Sequence, residues 1–373
     1  MRIDVFEMER MQSLHWHRVE YDLSESGVEP LSIRELLGDR VDPETFAQTR
    51  LGYPLSEGSE PTRERIAHWY PGAEPANVTV VNGGSEANHL TLWSLLDAGD
   101  RLAFMVPNYM QGWGLGRHYI GSTDVFRLDL RGDRWALDPE ELEKAITRNT
   151  KVGMVCNPNN PTGHVLSEEE MSAVVDAARK VGAWLVADEI YRGAELDADE
   201  ASPTFWGRYD KVVITSGLSK AFGMPGLRIG WAVAPQEVIE EIGIRHDYTT
   251  LSPSIVSDNL AAIAMEPAKR EWILQRTRGI IRENWPLLEE WIQSHDDLFT
   301  YARPMAGAIA YAEYDLPIGS TELIDRIRTE QSVLLVPGDM FGLAQGIRFG
   351  FGFDIQHTLK GLARVDEVLR RTR

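Results

Sequence analysis

The sequence contains one cysteine, Cys156, so it cannot form an internal disulfide or assemble a thiolate metal site, and no metal is expected. Lysine is scarce as well, with seven in 373 residues, at positions 144, 151, 180, 211, 220, 269 and 360. Basic residues total 38 against 57 acidic ones, and the net charge of -19 repels a phosphate backbone, which excludes nucleic acid as a partner. No stretch approaches the ~18 uninterrupted apolar residues of a membrane helix, so no membrane partner is expected. The first ten residues alternate charged with apolar side chains and lack the order of a secretory signal; the expected location is the cytoplasm. Internal repeats, low-complexity runs and flexible linkers are also missing, so any two domains must be tightly joined.

What is present is a globular composition, 43% hydrophobic and 25% charged with 32 glycines, long enough for two domains. From about residue 78 to 235, short branched apolar runs alternate with helix-patterned segments. The runs at 78–81, 102–106, 152–156, 184–187, 212–215 and 231–234 read as strands of a mostly parallel sheet wrapped by helices. Ser167-Glu-Glu-Glu170 opens a helix as a capping box, and Asp138-Pro139 opens another. From Pro267 to about Gln293, apolar residues recur at helical spacing, consistent with a long helix bridging two domains. The remaining residues, with strands at 309–311, 333–336 and 347–349, read as a smaller α+β unit. The expected division is a large cofactor-binding domain at 31–275 and a small domain made of 1–30 with 276–373.

In open α/β sheets ligands bind outside the carboxyl ends of the strands. Five such loops carry chemistry-bearing residues. Asn82-Gly83-Gly84-Ser85 enters a helix and offers backbone N–H groups to an anion, although a tight turn without ligand explains it equally. Pro107-Asn108-Tyr109 presents a ring for stacking or for packing. Asn157-Pro-Asn-Asn160-Pro-Thr-Gly163 is a stiffened irregular loop. Asp188 ends a strand, where a buried carboxylate requires a cation, either a protein arginine or a protonated ligand nitrogen. Lys220 lies among Ser219, Ala221 and Gly223, where desolvation and neighbouring cations are expected to ease loss of its proton and make the amine nucleophilic.

Asn160-Pro-Thr-Gly163, Asp188 with Tyr191, and Ser219-Lys220 with Arg228 together resemble the class I/II aminotransferases, pyridoxal-phosphate enzymes of fold type I. The resemblance runs from about residue 22 to Arg348. It implies that Lys220 condenses with the aldehyde of pyridoxal 5'-phosphate and that Asp188 keeps the ring nitrogen protonated. It also implies that Asn160 and Tyr191 bind the phenolic oxygen, Tyr109 stacks on the ring, and Gly83, Gly84, Ser85, Ser219 and Arg228 cradle the phosphate. Tyr53 resembles the tyrosine that reaches a neighbouring subunit's phosphate, which implies a homodimer with shared sites. Arg348 corresponds to the arginine that grips the substrate carboxylate, with Gly27 and Asn160 beside it.

The chain departs from the family pattern in two places. Gly217 stands where many members carry a hydroxyl residue, with Ser216 one step earlier. Asp247 falls where dicarboxylate-specific members place an arginine, which disfavours an acidic substrate and points to a cationic, arginine-like one. The implied reaction is transfer of an amino group between an L-amino acid and a 2-oxo acid. The alternative is β-elimination, replacement or cyclisation of a modified, arginine-like amino acid, and these motifs do not separate the two. Gly112-Trp-Gly-Leu-Gly116 is not a dinucleotide fingerprint, and the charge opposes a DNA-reader role. His15 and His17 lack a third ligand nearby and read as surface or entrance residues.

Overall fold

A computed structural model describes residues 3–38, 43–120, 123–295 and 297–372. Its strands are β1 (Tyr21–Asp22), β2 (Val78–Val81), β3 (Arg101–Val106), β4 (Thr123–Arg131), β5 (Arg134–Leu137), β6 (Thr150–Cys156) and β7 (Trp184–Asp188). They continue with β8 (Val212–Gly217), β9 (Gly230–Val233), β10 (Phe299–Tyr301), β11 (Ile309–Tyr314), β12 (Val333–Leu334), β13 (Val336–Pro337) and β14 (Gly346–Gly350). Eight strands form one sheet in the order β2-β9-β8-β7-β6-β3-β4-β5. The run from β8 to β4 is parallel, and β9 and β5 pair antiparallel with their neighbours.

This sheet is covered on both faces, and the sequence shows why. In β3, Ala103 and Met105 join the core on one face while Leu102, Phe104 and Val106 join the core on the other, as the two-residue period of a strand requires. In β8, Val212 and Ile214 alternate with Val213 in the same way. The smaller sheet, β10-β11-β14-β13, is antiparallel and has its own core, which includes Ile347, Phe349 and Trp285. The helix Pro267–Gln293 contributes to both cores, with Ile273 and Leu274 in the first and Ile281, Trp285, Leu288 and Ile292 in the second.

The expected caps form. Ser167 Oγ accepts from the Glu170 N–H, and Glu170 Oε2 accepts from the Ser167 N–H at 2.8 Å. The other Glu170 oxygen accepts from the Leu137 N–H at 2.8 Å, tying this helix to β5. Asp138 caps Pro139–Ala145 through the N–H groups of Glu140 and Glu141.

Two parts of the fold differ from the expectation. The edge hairpin β4–β5 is absent from the list of apolar runs because its strands alternate. Phe126 and Leu128 are buried while Arg127, Asp129 and Arg131 are not, the pattern of a strand with one face toward the core and one toward solvent. The run 333–336 is two short strands instead of one. β12 pairs in parallel with β1, and β13 pairs antiparallel with β14. No described helix is long and apolar enough to cross a membrane.

Candidate active site

The carboxyl ends of β2, β3, β6, β7 and β8 open on one edge of the large sheet, and β14 of the small sheet faces them across a cavity of about 770 Å³. Gly84, Ser85, Tyr109, Asn160, Asp188, Tyr191, Ser219, Lys220, Arg228 and Arg348 all line it. Ten residues singled out in the sequence thus converge on one space of the size that holds a small ligand.

Asp188 closes β7 and is buried. Its Oδ2 accepts from Asn88 Nδ2 at 2.8 Å and its Oδ1 from the Ile190 N–H at 3.1 Å. Thr215 Oγ1 donates to Asn88 Oδ1 at 2.5 Å, which fixes Asn88 with its amide hydrogens toward the carboxylate. Burial pushes Asp188 up to about 6, with the bonds from Asn88 and Ile190 opposing it. Among the described residues this carboxylate has no ion-pair partner, so the arginine foreseen as one option is not there. A protonated nitrogen in the cavity would supply the missing charge.

Lys220 is different from the expectation. Its Nζ lies 2.9 Å from Glu25 Oε1. Burial alone would lower its pKa, but the Glu25 carboxylate, with Tyr191, opposes it and the net shift is upward. The proton is therefore held in place, not loosened as neighbouring cations were expected to do. Glu25 in turn resists the upward push of burial through the Lys220 ammonium and is held down to about 2. The same Oε1 accepts from the N–H groups of Ser26 at 2.9 Å and Gly27 at 3.0 Å. Gly27 packs against the Ser219–Lys220 turn, where an added Cβ would lie 3.4 Å from Ser219 O.

On the opposite wall Arg348, in β14, is 1% exposed. Its Nη1 donates to Asn160 Oδ1 at 2.9 Å and its Nη2 to Ser24 O at 2.5 Å, while Nε has no hydrogen-bond partner. No carboxylate lies within ion-pairing distance among the described residues. A buried guanidinium left in this state fits a ligand carboxylate. Tyr191 is buried near both cations; burial raises its pKa, and the charges of Lys220 and Arg348 oppose the rise.

The helix Gly84–Leu95 starts at the cavity, with Ser85 in its first turn. Gly83 precedes it at φ 95°, and the Arg228 guanidinium lies where a Cβ on Gly83 would be. The helix N-terminus, Ser85, Ser219 and the Arg228 guanidinium all line the cavity and could hold an anion. Gly217 carries no hydroxyl because none fits: a Cβ there would sit 2.7 Å from Ile229 O. Ser216 does not replace it, since its Oγ donates to Glu189 O at 3.2 Å in the interior.

The N-terminal segment supplies walls that the sequence reading did not assign. The helix Glu7–His15 places Met8, Glu9 and Gln12 on the cavity, and Glu9 Oε1 accepts from the Tyr109 hydroxyl at 2.7 Å. Trp16, His17 and Asp22 follow, and Phe353 and His357 complete that side. Glu25 was legible only as a neighbour of Gly27. His17 lines the cavity, whereas His15 does not. Tyr53 is 87% exposed and lies outside the cavity, as does Asp247, an exposed residue after the helix Gln236–His246.

The family profile described as "Aminotransferase class I and II" matches residues 23–365. The chain belongs to the class I and II aminotransferase family. Members of this family depend on pyridoxal phosphate, and the Asp188 carboxylate, the anion-binding groups at the helix N-terminus and the lysine fit that cofactor, with its cationic ring nitrogen, its phosphate and its aldehyde. The chain is 28% identical over 365 residues to capreomycidine synthase from Streptomyces vinaceus, covering 95% of this chain and 92% of the relative. A PLP-dependent aminotransferase from Streptococcus suis matches with TM-score 0.92 and 29% identity, covering 100% of this chain and 99% of the other. The PLP-dependent cyclase OrfR matches with TM-score 0.89, also at 29% identity, covering 100% and 99%. Aminotransferase relatives thus stand beside relatives with other reaction names.

Proposed function

We propose that this family member transfers an amino group between an L-amino acid and a 2-oxo acid. One observation carries the reading. A lysine amine, a buried carboxylate lacking a cation and a buried guanidinium lacking a carboxylate face one cavity. When bound, pyridoxal phosphate supplies an aldehyde that condenses with amines and a ring that accepts the electrons left when the substrate α-hydrogen departs as a proton.

In this reading Lys220 Nζ would hold the cofactor aldehyde, and its amine, when free, would be the base that takes the substrate α-proton and the acid that gives it back. Asp188, braced by Asn88 and Thr215, keeps a proton on the ring nitrogen. Asn160 and Tyr191 bind the phenolic oxygen, and Tyr109, held by Glu9, packs on the ring face. Gly83, Gly84, Ser85, Ser219 and Arg228 hold the phosphate. Arg348 takes the substrate carboxylate with Asn160 and Gly27 beside it. Exposed Tyr53 and Leu51, at 87% and 82%, are the residues we assign to a homodimer interface that brings Tyr53 to the partner's phosphate. We keep the division into 31–275 and 1–30 with 276–373 as the unit boundaries, and the cytoplasm as the location.

A second reading is favoured by the likeness to capreomycidine synthase and to a cyclase: elimination, replacement or ring closure on an arginine-like amino acid. Glu9 and Asp22, which line the cavity, suit a cationic side chain. The holoenzyme incubated with single amino acids, with and without a 2-oxo acid, separates the two. Transamination requires the acceptor for more than one turnover, whereas ammonia, a 2-oxo acid or a cyclised product released catalytically without it overturns the first reading.

A further inference from the structure

The Glu25–Lys220 contact is built from an unusual direction. Glu25 follows β1 in the N-terminal segment, and one of its oxygens is already engaged by the N–H groups of Ser26 and Gly27. Those two bonds and the contact to Lys220 all converge on Oε1, so the carboxylate is aimed at the amine by its own backbone turn. The turn is anchored in its turn. Ser24 O accepts from Arg348 and Gln12, and a Cβ on Gly350 would run into the carbonyl of Glu25, so this stretch of backbone is fitted closely against β14.

We propose that Glu25 is a positioning residue for the reacting amine: it seats Lys220 in the cavity as an ammonium and sets the conditions under which that amine becomes free to react. The proposal rests on the reading of Lys220 as the cofactor-bearing lysine. In the condensation the amine lone pair attacks the aldehyde carbon, and the two amine hydrogens leave with the aldehyde oxygen as water while a C=N bond forms. An ammonium has no lone pair, so its third proton must first pass to Glu25 or to solvent. The same carboxylate makes the freed amine a stronger base, which favours taking the substrate α-proton.

The other groups facing the amine are Tyr191 from the loop after β7 and Arg348 of β14. Asp22, Asp188, Cys156, Arg228, Glu9, His17 and His357 also line the cavity. Burial and Arg348 lower the proton affinity of Lys220, Glu25 and Tyr191 raise it, and the net shift is upward. Replacing the carboxylate by an isosteric amide removes its raising contribution, leaving burial and Arg348 opposed only by Tyr191, while keeping the shape of the site.

The test uses the full-length protein freed of cofactor, so that it does not depend on turnover. Lysines are acylated in a short pulse over a range of pH, and modification of each lysine is read by peptide mass spectrometry, with exposed Lys144 as internal reference. In Glu25→Gln, labelling of Lys220 relative to Lys144 near neutral pH should rise by about tenfold or more, the size an adjacent opposite charge ordinarily controls. Loading with pyridoxal phosphate, followed by absorbance, should accelerate in parallel. Glu25→Asp, which keeps the charge with a shorter reach, should fall between Gln and wild type, and it carries the test if the Gln variant does not fold. A folded variant whose Lys220 profile superimposes on wild type overturns the proposal. If cofactor never attaches to Lys220 in any variant, the reading of the site fails instead, and the labelling profile still reports on Glu25.

Discussion

Replacing Asp188 by Asn removes one charge and almost no volume, and its consequences follow from the bonds around it. Thr215 fixes Asn88 with its amide hydrogens toward residue 188, and the Ile190 N–H points at the other oxygen. An asparagine offers one oxygen to these two donors, so its NH2 must face one of them. That mismatch costs about 1–3 kcal/mol.

Against this, the cofactor-free wild type carries the cost of a buried carboxylate. The folded-state value is raised from 3.8 to about 6, so the native state binds the proton more tightly than the unfolded chain. The penalty is absent below about pH 4, grows as pH rises through that window and is complete above about pH 6, where it is on the order of 3 kcal/mol. The cofactor-free variant should therefore match wild type to within roughly 2 kcal/mol at neutral pH and lack this component of the pH dependence, as read by denaturant unfolding.

With cofactor bound the balance reverses. An ion pair at ~4 Å in an effective dielectric of ~20 is worth about 4 kcal/mol, so loss of the charge should slow the single-turnover reaction with an amino acid by about a thousandfold. Absorbance measures the bound cofactor before each reaction. A variant that holds the cofactor and reacts within about tenfold of wild type would refute the assignment of Asp188.

Arg348→Ala removes the guanidinium, strands Asn160 Oδ1 and leaves Ser24 O with Gln12 as its donor; kcat/KM for any amino acid should fall by roughly a hundredfold or more, mainly through KM, and Arg348→Lys should recover only part of it. Gly83→Ala places a Cβ against Arg228 at a backbone angle of φ 95°, so pyridoxal-phosphate affinity, measured by equilibrium titration, should weaken by about tenfold or more.

Much of the site was legible because sheet physics collects strand ends. Asp188, Asn160, Tyr109 and Lys220 each follow a buried apolar run, and parallel pairing delivers all of them to one edge. Arg348 and the N-terminal wall were not derivable in that way. They approach from a second sheet and from a helix whose contacts are long-range, and no local period encodes which residue will meet Lys220. Glu25 shows the cost of reading a lysine from its immediate neighbours. Its counter-charge lies 195 positions away in sequence, and it reverses the direction in which the local environment moves the proton. The hairpin β4–β5 was missed because strands with one polar face do not present an apolar run.

The most direct measurement is borohydride reduction of the purified holoenzyme followed by digestion and mass spectrometry of all seven lysine positions. The reduced pyridoxyl-phosphate adduct should be found on the peptide containing Lys220, and it should vanish when the enzyme is first treated with a good amino-acid substrate. An adduct on another lysine, or none on a preparation that binds the cofactor, would contradict the assignment of Lys220.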